Sequence, residues 1–257
     1  MTCKANKIAL IPARYHAQRF PGKLLEKLGD KSVILQTYLS VLNTQLFKEV
    51  AVITDSHLIY KEITAHKGVA LMSQKDHICG TDRIAEAVVH YPWADIVVNV
   101  QGDEPFTQAA PLQALLHAME DPTSDRPSAA SLMTPIHSIE ELHNPNVVKV
   151  VTDRKHNALL FTRSASAAEK AVGGSVSGNV LVFRHIGVYA FRKEALLSFA
   201  KLTPGPLEVS EKLENLRFLE HGMRIKMVEV CSYPKGIDTP EDLEMARRWL
   251  LQNNTMQ

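Results

Sequence analysis

Along the first hundred residues, short apolar runs alternate with stretches in which apolar residues recur every three or four positions. Lys7–Ile11, Glu49–Ile53, Val69–Met72 and Asp95–Val100 have the first pattern and predict strands. Val33–Gln45, His57–His66 and Thr81–His90 have the second and predict helices. The run IVVNV (96–100) is apolar almost throughout, as a strand buried on both faces should be. This alternation predicts βαβ crossovers and an α/β fold: a parallel sheet with helices on both faces.

The second half has a different texture. VVKVV (147–151), ALLF (158–161) and FRHIGVYAF (183–191) are strand-like but separated by irregular loops. LEVSEKLENLRFLEHG (207–222) predicts one amphipathic helix stopping at Gly222, with Leu207, Leu213, Leu216 and Leu219 as its buried stripe. A strand over Arg224–Val230 follows. The closing helix, TPEDLEMARRWLLQ (239–252), has Thr239 as N-cap, Pro240 in the first helical position, and Glu241 and Asp242 at the positive end of its dipole. SASAAEKAVGGSVSGNV (164–180) is small and Gly/Ser-rich and reads as a mobile loop. The organisation expected is one domain. Its core is formed by about 7–135 and 220–252, with a smaller inserted lobe over about 136–219.

Composition narrows the function. With 29 basic and 28 acidic residues among 257, the net charge is +1, too balanced for the basic face a nucleic-acid binder needs. Cys3, Cys79 and Cys231 are scattered, form no CxxC pair and suggest a reducing compartment. The opening MTCKANKIALIPARYH has too short an apolar core for a secretory signal, and no apolar run approaches the ~20 residues that span a bilayer. A cytoplasmic protein without membrane or nucleic-acid partners is expected.

The candidate chemistry gathers where strands end, which is where open parallel sheets bind ligands. After the first strand, IPARYHAQRFPGK crowds Arg14, Arg19 and Lys23 into a loop shaped by Pro12 and Pro21-Gly22. Crowded cations suit an anionic ligand, although the loop is neither GxxxxGK[ST] nor GxGxxG. After the central strand, VNVQGDEPF (98–106) presents Asp103, a hard-oxygen ligand suited to Mg²⁺, or else a helix-capping acidic turn. ICGTDRIAEA (78–87) opens a helix at Gly80, with Arg83 in its first turn, where backbone amides attract anions. KGIDTPEDLE (235–244) offers a second carboxylate, Asp238, which could equally initiate the helix. His185 is either a core histidine or a ligand group. Glu208, Glu211 and Glu214 share a face at helical spacing, where a solvated stripe is the alternative. The eleven histidines show no HxH or HExxH spacing, which disfavours zinc.

Taken together, IPARxxxxRFPGK, GTDR, NVQGDEP, RHIGVYAF, PLExxExLExLR and GIDTPEDLE resemble, in order, the 3-deoxy-manno-octulosonate (Kdo) cytidylyltransferases from about Ile8 to Arg248. The resemblance implies a Rossmann-like nucleotidyltransferase fold, usually dimeric, with a mainly parallel sheet and a smaller sugar-side and dimerisation lobe. It implies CTP and an acidic 3-deoxy sugar as substrates, with CMP-Kdo and pyrophosphate as products, feeding lipopolysaccharide synthesis. Arg14, Lys23, Asp103 and Asp238 would be catalytic. Pro12, Ala13, Gly80 and Arg83 would join Arg14, Lys23 and Asp103 at the nucleotide. Asp103 and Asp238 would hold Mg²⁺, and Arg19, Gln101, His185, Tyr189, Glu208 and Glu211 would face the sugar.

Four departures from the pattern occur, the last two of them on what should be the sugar side and dimer-facing loop. The family's Ser-Thr pair in the first loop is Ala17-Gln18, the Ser before GTxR is Cys79, and the Gln of LEQLR is Asn215. After LFTR (160–163) the chain has SASAAEKAV, without the family's Ile-Pro and Arg-Asp pairs. Two alternatives follow: a cytidylyltransferase for another acidic sugar, such as an 8-amino Kdo analogue or a nonulosonate, or a CTP-binding homologue with weakened turnover.

Overall fold

From Ile8 to Ala13 the first strand, β1 (Lys7–Ala13), is buried at every position, which requires neighbours on both edges and cover on both faces. The computed structural model describes residues 5–16, 19–77, 79–121, 126–171 and 182–254. These form two compact units, Met1–Ala109 with Pro234–Gln257 and, between them in sequence, Ala110–Tyr233.

In the first unit β1 is followed by α1 (Val33–Asn43), β2 (Glu49–Thr54), α2 (His57–Ala65), β3 (Val69–Met72), α3 (Gly80–Ala87) and β4 (Ile96–Asn99). Strand order is β4–β1–β2–β3, and every pair is parallel: Ile8 lies opposite Glu49 and Val97, and Ala51 opposite Val69. The predicted elements are present to within a few residues. Helix starts are set locally: Ser32 Oγ accepts from Leu35 N at 3.3 Å, and Ser56 Oγ from Ile59 N at 3.5 Å.

The second unit contains α4 (Ala109–Glu120), β5 (Ala129–Pro135), α5 (Ile139–His143), β6 (Lys149–Thr152), β7 (Ala158–Thr162), α6 (Ala165–Ala171) and β8 (Phe183–Arg192). It continues with α7 (Lys193–Phe199), α8 (Pro206–Glu211), α9 (Asn215–Glu220) and β9 (Ile225–Glu229). Its sheet is mixed: β9 pairs parallel with β5, and β5–β8, β8–β6 and β6–β7 are antiparallel. β8 bulges between Ile186 and Tyr189, where Ser131 Oγ bonds the carbonyls of Ile186 and Val188 at 3.1 and 2.9 Å. The closing α10 (Pro240–Asn254) belongs to the first unit. Thr239 Oγ1 accepts from Asp242 N at 3.2 Å while Asp242 Oδ2 accepts from Thr239 N at 3.0 Å, a reciprocal capping box.

Three expectations are corrected. The single helix over 207–222 is two helices, α8 and α9, because Lys212 takes a left-handed conformation (φ 56°). The break is accompanied by a buried bidentate pair, Arg217 to Glu208 at 2.5 and 2.7 Å, and leaves Leu207 exposed. Residues 165–171 of the expected loop are helical, and Ser164 Oγ accepts from Ala167 N at 3.2 Å at their start. The remainder of that loop, 172–180, lies outside the described residues, as do Ala17 and Gln18. The compact units divide at 109/110 and 233/234 rather than at 135/136 and 219/220. Partnering explains this: β5 pairs with β8 and β9, both within the second unit.

Candidate nucleotide site

β1 ends at Ala13 and delivers the cationic loop to the carboxyl edge of the first unit's sheet. The loop closes on itself: Gly22, at φ 75°, donates from its N to Tyr15 O at 3.0 Å, a left-handed turn that favours glycine. Lys23 follows, and only 8% of it is exposed. Its Nζ lies 2.5 Å from Asp103 Oδ2 and 3.0 Å from Asp238 Oδ1. Arg19 approaches Asp238 from outside, at 3.0 Å. The two carboxylates are held in register by backbone, since Ile237 N donates to Asp103 O at 2.9 Å. Residues 135 apart in sequence thereby meet on one ammonium.

Burial alone would lower the pKa of Lys23; the Asp103 and Asp238 carboxylates more than offset it, so the pKa is raised above the ordinary lysine value. Lys23 is therefore a permanent cation.

A cavity of about 260 Å³ opens here, and Pro12, Ala13, Arg14, Arg19, Lys23 and Gln101 line it. His77, Cys79, Gly80, Arg83, Asp103 and Asp238 also border it. Gly80 fits because a Cβ there would come within 3.2 Å of Pro12 Cγ. Arg83, 5% exposed, does not point into solvent: it bonds Asp55 Oδ2 and Ser73 Oγ, each at 2.7 Å. Cys79 Sγ donates to Asp82 Oδ2 at 3.2 Å.

Every residue assigned to the nucleotide thus borders one cavity, together with Arg19 and Gln101 from the sugar set. No cluster of three or more His, Cys, Asp or Glu suited to a metal occurs among the described residues. Asp103 and Asp238 nevertheless fit Mg²⁺, which takes one or two protein carboxylates and completes its shell with phosphate and water. Both direct an oxygen at the same cation, Lys23.

The other four sugar-side candidates belong to the second unit. His185 is partly buried, its ring 5.4 Å from that of Tyr189 and its Nε2 2.9 Å from Ser131 Oγ. Burial pushes its pKa down to about 3, so the ring is neutral. Both oxygens of Glu208 bond Arg217. Those of Glu211 accept from Thr162 Oγ1 at 2.9 Å and Arg163 N at 3.0 Å. The predicted acidic stripe is thus divided: Glu208 and Glu211 lie on α8 and Glu214 at the cap of α9.

Asp55 and Ser73 had not been singled out in the sequence. The available signal was position, since Ser73 immediately follows a predicted strand and Asp55 lies two residues beyond another, at the ligand-binding edge.

The sequence profile of the cytidylyltransferase family matches residues 8–225. The chain belongs to the cytidylyltransferase family. Among curated proteins this cytidylyltransferase is 53% identical to the 3-deoxy-manno-octulosonate cytidylyltransferase of Flavobacterium johnsoniae, over 95% of this chain and 98% of that one. It is 48% identical to the enzyme of the same name from Christiangramia forsetii, over 96% and 98% of the two chains. A solved CMP:2-keto-3-deoxy-manno-octonic acid synthetase complexed with CTP superimposes with a TM-score of 0.87 at 34% identity, covering 97% of this chain and all of that one. The 4-diphosphocytidyl-2C-methyl-D-erythritol synthase of Anaerococcus prevotii shares the fold, with a TM-score of 0.62 at 15% identity over 96% and 99% of the chains. The cytidylyltransferase therefore has the α/β nucleotidyltransferase fold, with its parallel sheet in the first unit.

Proposed function

We propose that the chain transfers CMP from CTP to the anomeric oxygen of 3-deoxy-manno-octulosonate, releasing pyrophosphate and activating the sugar for lipopolysaccharide synthesis. The observation that carries the reading is the convergence of Arg14, Lys23, Asp103 and Asp238 on one cavity. It occurs in a chain 53% identical to a 3-deoxy-manno-octulosonate cytidylyltransferase along nearly its whole length.

In this reaction the sugar's anomeric oxygen forms a bond to the α-phosphorus of CTP as the bond from that phosphorus to the bridging β-oxygen breaks. The hydroxyl proton is released, and the electron pair leaves on pyrophosphate. Transfers of this kind ask the protein for alignment and charge stabilisation rather than for covalent chemistry. Arg14 and Lys23 supply the fixed cations. Asp103 and Asp238 would hold Mg²⁺, whose contribution when bound is to neutralise phosphate charge. Arg19 and Gln101 border the same cavity and are suited to the sugar's carboxylate and hydroxyls.

Two further readings accompany this one. Action in the cytoplasm is part of this reading; among the described residues no helix is long and apolar enough to cross a membrane. It works as a homodimer, which is supported by the exposure of Ile139, Leu159, Leu207 and Val209 in the second unit.

A second substrate reading has one specific observation behind it. Asn215, where the family pattern has Gln, is 3% exposed, and its Oδ1 has no hydrogen-bond partner in the protein. A shortened amide with an unpartnered oxygen, at a position the family pattern fills with Gln, keeps an altered sugar in play. Pyrophosphate release with CTP, Mg²⁺ and Kdo, its 8-amino analogue or sialic acid decides between them. Turnover with Kdo alone is expected, and turnover only with another sugar would move the substrate assignment.

A further inference from the structure

Arg83 occupies an unfavourable place for a free cation, the first turn of α3, where the helix dipole is positive. The structure resolves this by enclosing it. Asp55, just beyond β2, and Ser73, just beyond β3, take N–H donors from opposite ends of the guanidinium, each at 2.7 Å. The Arg83 side chain is 6% exposed. A guanidinium carries more N–H donors than these two partners use, and Arg83 still borders the nucleotide cavity.

The charge of Arg83 is balanced by Asp55 before any ligand arrives, so it adds little net attraction for a triphosphate. Its directional donors remain, in a plane fixed by two partners on two different strand ends. Such a group suits an uncharged acceptor, a carbonyl oxygen or ring nitrogen on the edge of a nucleobase. The phosphates are left to Arg14, exposed on the same cavity, and to Lys23, whose carboxylate partners would turn to Mg²⁺ when a metal is bound.

We propose that Asp55 and Ser73 are positioning residues that hold Arg83 as a base-selecting donor, so that preference among nucleoside triphosphates depends on this clamp. The inference rests on the proposed use of CTP. It follows that disturbing the clamp weakens CTP binding and blurs the choice of base, while the chemical step, served by Lys23, Asp103 and Asp238, keeps its rate. Cytosine presents an acceptor at its ring N3 where uracil presents a donor, so UTP is the competitor that reads the effect.

The test compares wild type, Asp55→Asn and Ser73→Ala in steady-state kinetics with CTP and with UTP. CTP dissociation constants by calorimetry and unfolding temperatures are measured alongside. Asp55→Asn is expected to raise both KM and the dissociation constant for CTP by roughly tenfold or more, the scale of a hydrogen bond to a charged group. Its kcat should stay close to wild type and its CTP-over-UTP preference should fall. Ser73→Ala, which removes a single hydroxyl, should shift KM in the same direction by about a few-fold. If Asp55→Asn does not fold, Ser73→Ala carries the test alone. Unchanged CTP affinity and base preference in the folded variants would overturn the proposal. So would a loss of kcat and unfolding temperature with KM untouched, which marks a merely structural ion pair. A wild type that binds CTP but turns over no sugar would instead overturn the proposed reaction, and the calorimetric comparison would still judge the clamp.

Discussion

Lys23 Nζ stands 2.5 Å from Asp103 Oδ2, and the same ammonium reaches Asp238. The carboxylates suited to a metal are already engaged by a shared resident cation. A divalent ion can take those oxygens only if Lys23 yields them, and an arriving triphosphate gives Lys23 an alternative anion. Metal and nucleotide are therefore expected to bind with positive coupling. Calorimetric titration of Mg²⁺ should show weak binding to the protein alone, and Lys23→Met should tighten it. Unchanged metal affinity in that variant would sink the coupling idea.

Asp103→Asn keeps the shape of the side chain and removes one charge from this network. Turnover should fall by roughly a hundredfold or more, the scale of losing a group that stabilises developing charge. The circular dichroism spectrum should stay native. Pyrophosphate release near the wild-type rate would remove Asp103 from the reaction.

Arg14 is exposed at the mouth of the cavity. Arg14→Ala should weaken CTP binding by about tenfold, with little effect on the unfolding temperature. Because the contact is exposed, the difference between variant and wild type should shrink as salt is raised. Calorimetry at low and high ionic strength reads both, and a CTP affinity equal to wild type at low salt would exclude the role.

The pair between Arg217 and Glu208 is the opposite kind of ion pair, with side chains 2% and 8% exposed. Glu208→Gln would remove one charge from this buried pair, and breaking such a pair costs about 3–5 kcal/mol. Urea unfolding measures this directly. A loss below about 1 kcal/mol would mean that water or a neighbour satisfies Arg217.

His185 sets a pH dependence. Its folded pKa is about 3, against an ordinary 6.5, because burial disfavours the charged ring. Between those values the unfolded chain binds a proton that the folded chain does not, so stability falls as pH drops through that window. Above pH 6.5 both states are neutral and the residue contributes no slope. The slope from this group approaches about 1.4 kcal/mol per pH unit at most. His185→Gln should flatten the unfolding free energy between about pH 4 and 6; an unaltered slope would mean that the imidazole titrates normally.

Much of this was legible in the residues. Periodicity places the strands of the first unit because a buried parallel strand must be apolar on both faces, a local property of runs such as IALIPA and IVVN. The ends of those strands then point to Arg14, Lys23, Arg83 and Asp103, which border one cavity, since ligand groups in such sheets sit at the carboxyl edge. Periodicity failed at 207–222: Glu211 and Glu214 keep helical spacing across a break at Lys212 whose accompaniment, the pairing of Glu208 with Arg217, is made through space. The residues of 165–171 formed a helix from a composition that reads as loop, with Ser164 at its start.

Chain order therefore determined which residue types were on offer and on which strand ends they stood. Tertiary structure alone decided which of them meet. Nothing in the spacing of Asp103 and Asp238 says that both will reach Lys23, or that Arg83 will be claimed by Asp55 and Ser73. Hydrophobic periodicity is written into neighbours along the chain, whereas a charge finds its partner only after burial has removed water and brought distant segments within a few ångströms.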